Sequence, residues 1–221
     1  MSVLVFAEST EGKFKKVALE VTSYGKKIAE LLNTNLVVLT INANDTSILA
    51  NYGAEKIVKV SDEKLNSFNA KAYADIVKQV AESTNANIIV LDSSANGSYL
   101  APMVAVNLEA GYASKVVALP SSTSPLTVKR QAFSNKALCN TTITTPKKVI
   151  GLAKNSYGLI ENITNSTEET FSPSLKEDDF ELKSAEIETI KGKITIADAD
   201  IVVSGGRGLK GPENWGMIEE L

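Results

Sequence analysis

Residues 87–98, Asn87-Ile-Ile-Val-Leu-Asp92-Ser-Ser-Ala-Asn-Gly-Ser98, decide the fold. A short apolar run rich in β-branched side chains and bounded by turn formers reads as a strand buried on both faces. The polar turn Asp92–Ser98 then leads into a helix expected from about Tyr99 to Glu109. Pro102 fits its first turn, where backbone amides have no intrahelical partner to lose, and Ser98 is placed to cap it.

The same alternation extends outward in both directions. Ser2–Ala7 reads as a buried strand ending in the polar cluster Glu8–Gly12. Phe14, Val17, Val21, Tyr24, Ile28 and Leu31 are spaced by threes and fours, one apolar face of a helix with lysines and glutamates opposite. Leu36–Ile41 is a second strand, Ile48–Tyr52 a short helix stopped at Gly53, and Lys56–Val60 an edge strand. Ala72, Tyr73, Ile76, Val77 and Val80 mark another amphipathic helix, and Val116–Leu119 a fifth strand. Strands and helices alternating at this spacing give the expected fold class: α/β, a parallel-sheet Rossmann-like domain with helices on both faces. Leu126–Ala153 changes character and reads as a small antiparallel extension.

Beyond it the chain turns polar from about 155 to 179, a linker or surface excursion, and Phe180–Ile190 alternates weakly as a strand would. Asp200–Ser204 reads as a new strand, followed by Gly205–Gly211 and a helix opening at Pro212. Strand, turn and part of a helix make the first half of a βαβ unit, and no parallel partner follows within the sequence. The expected organisation is an N-terminal α/β domain over 1–190 and the start of a truncated second α/β domain over 197–221.

Composition excludes much chemistry. The 221 residues contain no histidine and one cysteine, Cys139. Ser-His-Asp and Cys-His catalysis, histidine or cysteine metal sites and internal disulfides are ruled out. No metal site and no catalytic residue are expected. A net charge of -3 argues against nucleic-acid binding. The N-terminus lacks a signal peptide's basic start and apolar length, and no stretch is long enough to span a bilayer, so a cytoplasmic location is expected.

Two segments carry candidate binding chemistry. Gly206-Arg207-Gly208-Leu209-Lys210-Gly211 matches G-x-G-x-x-G after an expected strand and before an expected helix, where backbone amides approach a phosphate. The bland alternative is a tight turn that needs positive φ. The Asp92–Ser98 turn lies beyond the carboxyl end of a central strand, where open α/β sheets take ligands. It supports an alternative reading as an adenine-nucleotide-binding domain, and Glu8 and Asp92 are expected to approach one another there. Cys139, Trp215 and Met217 read as core.

Ser204-Gly-Gly-Arg-Gly-Leu-Lys-Gly-Pro-Glu-Asn214 resembles the opening of the FAD domain in the electron transfer flavoprotein alpha-subunit family. Val3–Glu8 resembles that family's first strand. Ser98–Ala105 resembles its Leu-x-Pro-Arg-x-Ala helix, with Met103 where arginine is usual, and Val128–Ala137 its Arg-x-x-Tyr-x-Gly-Lys-Ala segment. The resemblance covers essentially the whole chain. It implies an electron carrier rather than an enzyme, working in an alpha–beta heterodimer with FAD. Such a heterodimer accepts electrons from acyl-CoA dehydrogenase-type donors and passes them to a quinone oxidoreductase. By the same resemblance Arg207 lies near the flavin ring, with Gly206 and Gly208 in the turn presenting it. The family's later FAD-holding segments, such as Gln-Thr-Gly, are absent from the sequence. Weak or absent FAD binding is therefore expected of this chain alone, with a docking or scaffold role beside the beta subunit.

Overall fold

The computed structural model describes residues 1–181 and 201–221, with Ile196 and Ala199 between them. The chain divides into two units, Met1–Lys183 and Ser184–Leu221. In the first, β1 (Ser2–Phe6), α1 (Lys16–Leu31), β2 (Asn35–Ile41), β3 (Lys56–Val60), α2 (Ala70–Ser83), β4 (Ala86–Asp92) and α3 (Ala95–Asn107) alternate as expected. There follow β5 (Gly111–Val116), the hairpin β6 (Leu126–Ala132) and β7 (Ala137–Ile143), then β8 (Lys148–Leu152) and β9 (Thr167–Thr170). One ten-stranded sheet runs in the order β7-β6-β5-β8-β4-β1-β2-β3-β9, with the short strand Ser122–Thr123 paired to β6. The seven strands from β5 to β9 are parallel. The β6–β7 hairpin is antiparallel and extends one edge.

The strand alternation sorts side chains into two cores. Leu4, Phe6, Leu39, Ile89 and Leu91 pack against α2 and α3. Val3, Val5, Val38, Val90 and Ile150 pack against Val21, Tyr24 and Ile28 of α1. Helices thus cover both faces, as a parallel sheet requires.

Several boundaries differ from the sequence reading. The fifth strand is Gly111–Val116 rather than Val116–Leu119, because after Val116 the chain leaves the parallel ladder and Val117 bonds to Lys129 of β6. Lys148–Leu152 is not part of the antiparallel extension. It inserts in parallel between β4 and β5, and its run Lys-Val-Ile-Gly-Leu is buried along nearly its whole length, the mark of an interior strand. Ser47–Asn51 is a 3-10 turn ending at Gly53, whose φ of 97° suits glycine. Lys56–Val60 is not the sheet edge, since Thr167–Thr170 covers it.

The polar stretch 155–179 is fastened to the domain along its length. Thr167–Thr170 pairs with β3, flanked by Lys56–Glu169 and Lys59–Glu168 ion pairs of 2.5 and 3.4 Å. Asn162 donates its N–H to the Asn51 carbonyl at 2.7 Å, and the Ser174 N–H reaches Gln79 at 2.9 Å. A solvated edge strand needs no apolar alternation, so composition alone read it as an excursion. Of the weak strand expected over Phe180–Ile190, Phe180 closes a 3-10 turn and 182–190 lie outside the described residues.

Two carboxylates, Glu20 buried and Glu8 half-buried, are treated in opposite ways by this topology. Glu20, expected on the solvated side of α1, is 3% exposed. It accepts backbone N–H groups from Asn155, Tyr157 and Gly158 at 2.8–2.9 Å. The segment after β8 is therefore clamped to α1, where Tyr157 packs edge-on against Tyr24 at 5.4 Å. Glu8, just beyond β1, accepts a hydrogen bond from Asn96 Nδ2 at 2.5 Å. Burial, opposed by that bond and reinforced by the Asp92 charge, raises its pKa above the ordinary carboxylate value. Glu20→Ala is expected to cost on the order of 3 kcal/mol in urea unfolding, by stranding three amide donors. It should also raise hydrogen exchange at Asn155, Tyr157 and Gly158. For Glu8 the sign is reversed. The folded state holds its proton to higher pH than the unfolded chain, so stability falls as pH rises through the folded value. Glu8→Gln should therefore stabilise the protein at pH 7, with the gain shrinking as pH falls through the folded value and gone only below the unfolded one. Urea midpoints measured across that range check it.

Candidate functional site

Going from β1, the chain builds outward through β2 and β3, then returns through α2 to place β4 on the other side of β1. The crevice outside the carboxyl ends of β1 and β4 is a topological switch point, the usual ligand position in open α/β sheets. It is formed by Glu8 after β1 and by the Asp92–Asn96 turn after β4.

That turn is closed by its own side chains. Asp92 is buried, and its Oδ1 accepts the Ser94 N–H at 2.7 Å. Ser94 Oγ accepts the Gly97 N–H at 3.1 Å and caps α3, which starts at Ala95. The expected cap at Ser98 and helix start at Tyr99 are thus displaced by about one turn. Pro102 consequently sits inside the helix rather than in its first turn. The reason is Gly97, which looks like a breaker in sequence. A Cβ there would lie 2.2 Å from the Asp92 carbonyl oxygen, so only glycine lets the helix begin directly on the strand end. Glu8 and Asp92 do come together as expected, close enough for the Asp92 charge to act on Glu8, which is bonded to Asn96 of the same turn. Two carboxylates at this point oppose an incoming phosphate, and the first-turn amide of Gly97 is already satisfied. The geometry therefore does not favour nucleotide binding by the Asp92–Ser98 turn.

In the second unit, Asp200 lies outside the described residues and Ile201–Ser204 forms no strand. A strand needs a lateral partner, and among the described residues none pairs with this segment. Arg207–Leu209 and Pro212–Asn214 are 3-10 turns, and Gly216–Glu219 is a single helical turn. Gly206 is extended at φ -84°, and the left-handed residue of the loop is Lys210 at φ 67°. Neither Gly206 nor Gly208 is there to supply positive φ, and a Cβ on either would meet nothing within 4 Å. Arg207 is exposed, and its guanidinium has no side-chain partner among the described residues.

Trp215 and Met217, expected in a core, are 48% and 68% exposed, because a single helical turn buries no apolar face. Cys139 is half-buried in β7 opposite Arg130, its Sγ 3.8 Å from Thr141 Oγ1. Among the described residues no group of three or more His, Cys, Asp or Glu is placed to hold a metal. No helix among them is long and apolar enough to cross a membrane. Sequence reasoning missed Gly97 and Glu20. A signal existed for Glu20, which lies three residues after Val17 and four before Tyr24, on the apolar face.

Comparison with known proteins bears on the whole chain. The family model described as the electron transfer flavoprotein domain matches residues 3–179. Protein FixB of Clostridium saccharobutylicum is 29% identical over 230 residues, covering 99% of this chain and 68% of that protein. The electron transfer flavoprotein subunit alpha of Thermoanaerobacterium thermosaccharolyticum is 27% identical, covering 99% of this chain and 69% of its own length. Its counterpart from Bacillus subtilis is 26% identical, with 99% and 68% covered. With a match running from the first strand to the end of the fastened polar segment, the chain belongs to the electron transfer flavoprotein domain family.

Proposed function

We propose that this chain acts as an electron transfer flavoprotein alpha subunit, paired with a beta subunit in a heterodimer that carries FAD. Electrons arrive from flavin dehydrogenases of the acyl-CoA dehydrogenase type and leave toward a quinone oxidoreductase. The observation that carries this reading is the family match over residues 3–179, together with relatives named FixB or subunit alpha that align along 99% of the chain. The absence of histidine from the sequence suits a carrier, which leaves redox chemistry to its cofactor. In this reading residues 1–190 form the docking domain and 197–221 begin the FAD domain.

The Gly206-Arg207-Gly208 turn fits a flavin contact. Its glycines are uncrowded and not spent on a strained backbone, and its guanidinium is uncommitted among the described residues. FAD, when bound, supplies the group that accepts and releases electrons. Arg207 holds a permanent positive charge beside it, which favours whatever negative charge the flavin ring acquires. Gly206 and Gly208 let the backbone approach the ligand closely. Arg207→Ala in the heterodimer is expected to lower the flavin reduction potential without dissociating the subunits. Spectroelectrochemical titration reads this, and an unchanged potential would remove Arg207 from its assigned role.

A further inference from the structure

The only Asn-Gly dipeptide in the sequence is Asn96-Gly97, and it lies in the first turn of α3. Both residues are dictated by their neighbours. Gly97 is required because a Cβ would lie 2.2 Å from the Asp92 carbonyl oxygen and 2.5 Å from Asp92 Oδ1. Asn96 supplies, through Nδ2, the donor that the half-buried Glu8 carboxylate accepts at 2.5 Å. An aspartate at 96 would instead set a third carboxylate beside Glu8 and Asp92. The strand-to-helix junction therefore carries an asparagine followed by a residue with no side chain to shield its backbone nitrogen. Asparagine is thermolabile, and in an open chain this pairing is its most reactive setting, because the Gly97 nitrogen can reach Asn96 Cγ. In the fold that nitrogen is held back. Gly97 is buried, and its N–H donates to Ser94 Oγ at 3.1 Å. The helical backbone also disfavours closing the five-membered ring that the attack requires.

We infer that Asn96 is a site of spontaneous covalent modification, gated by the Ser94 cap and converted to aspartate or isoaspartate when the start of α3 opens. The Gly97 N–H gives its proton to hydroxide from solvent, and the nitrogen bonds to Asn96 Cγ. The Cγ–Nδ2 bond then breaks, and Nδ2 leaves as ammonia with a proton taken from water. The succinimide ring so formed adds one water. Opening at Cγ gives aspartate, and opening at the backbone carbonyl of residue 96 gives isoaspartate, in which the chain runs through Cγ. The net change is asparagine plus water to aspartate plus ammonia, with no oxidant or cofactor. Either product replaces the donor to Glu8 by an acceptor, so two carboxylates meet where one hydrogen bond stood. Isoaspartate also lengthens the backbone within the first helical turn, which spoils the amide spacing that Ser94 caps. The modification thus loosens the start of α3 at the Glu8–Asp92 crevice. This site stands independently of the flavin reading.

The test follows the 221-residue chain through incubation at mildly alkaline pH. Peptide mass spectrometry locates amide-to-acid conversion, and an isoaspartyl methyltransferase counts isoaspartate. In denaturing urea, Asn96 should convert before any other asparagine. In the folded chain its conversion should continue, at least about tenfold slower, and follow hydrogen exchange at the Gly97 amide, since both need the same local opening. Ser94→Ala removes the cap and should speed folded-state conversion about fivefold, the rise in open population that loss of an N-cap brings. Ser94→Thr keeps a capping hydroxyl and should restore the slow rate. If Ser94→Ala loses its fold, the wild-type chain in urea below its unfolding midpoint carries the test, with conversion and Gly97 exchange rising in step. The proposal is overturned by a folded-state rate equal to that in denaturing urea, or by conversion confined to other asparagines. An unchanged rate in folded Ser94→Ala, or conversion that does not follow Gly97 exchange, would overturn it as well.

Discussion

Strand β1 has a parallel partner on each side and helices over each face, and the rest of the domain is arranged to satisfy it. Its backbone groups are paired with β2 and β4, and Val3, Leu4 and Val5 are wholly buried. Parallel strands cannot be joined by a tight turn, so each neighbour of β1 requires a helical crossover. Placing β2 on one side and β4 on the other sends α1 to one face and α2 to the opposite one. The reversal of direction opens the crevice where Glu8 and Asp92 meet. A single strand's need for partners thus fixes where the chain can present polar groups.

The carboxyl ends of the strands then divide into two electrostatic zones. Around β1 and β4, Glu8 and Asp92 make the surface acidic, and Asn96 and Ser94 consume the hydrogen bonds that a ligand would use. Around β5 and β8, the described residues that line a concavity include Lys115, Lys154, Ser93 and Ser156 and no carboxylate. Glu20 separates these functions from the scaffold. Its three backbone acceptor contacts hold 155–158 in place, and Asn155 and Ser156 of that segment form one side of the lysine-lined concavity. A structural carboxylate on α1 therefore shapes a surface outside the carboxyl ends of β5 and β8.

The strands buried on both faces were legible from their residues alone. Ser2–Phe6, Leu36–Ile41 and Asn87–Leu91 need only composition to be recognised, because burial on both sides leaves no polar alternation to interpret. What sequence patterning could not supply was the identity of neighbours. Lys148–Leu152 reads equally well beside the hairpin or between β4 and β5, since periodicity reports burial and not the partner. Thr167–Thr170 pairs through backbone and ion pairs that leave no apolar trace. Gly97 and Gly151 look like ordinary turn or strand glycines until the atoms crowding them are seen. At Arg207 the motif was visible in sequence, while the openness of its flanking glycines was not.

The central proposal is that residues 1–190 form the scaffold by which this chain docks into a two-subunit electron carrier. Sedimentation velocity of the 221-residue chain mixed with a beta subunit of the same flavoprotein tests it most directly. A single boundary with the mass of a one-to-one complex, at concentrations where the chain alone sediments as itself, is the predicted result. Two independent boundaries at every mixing ratio would contradict it.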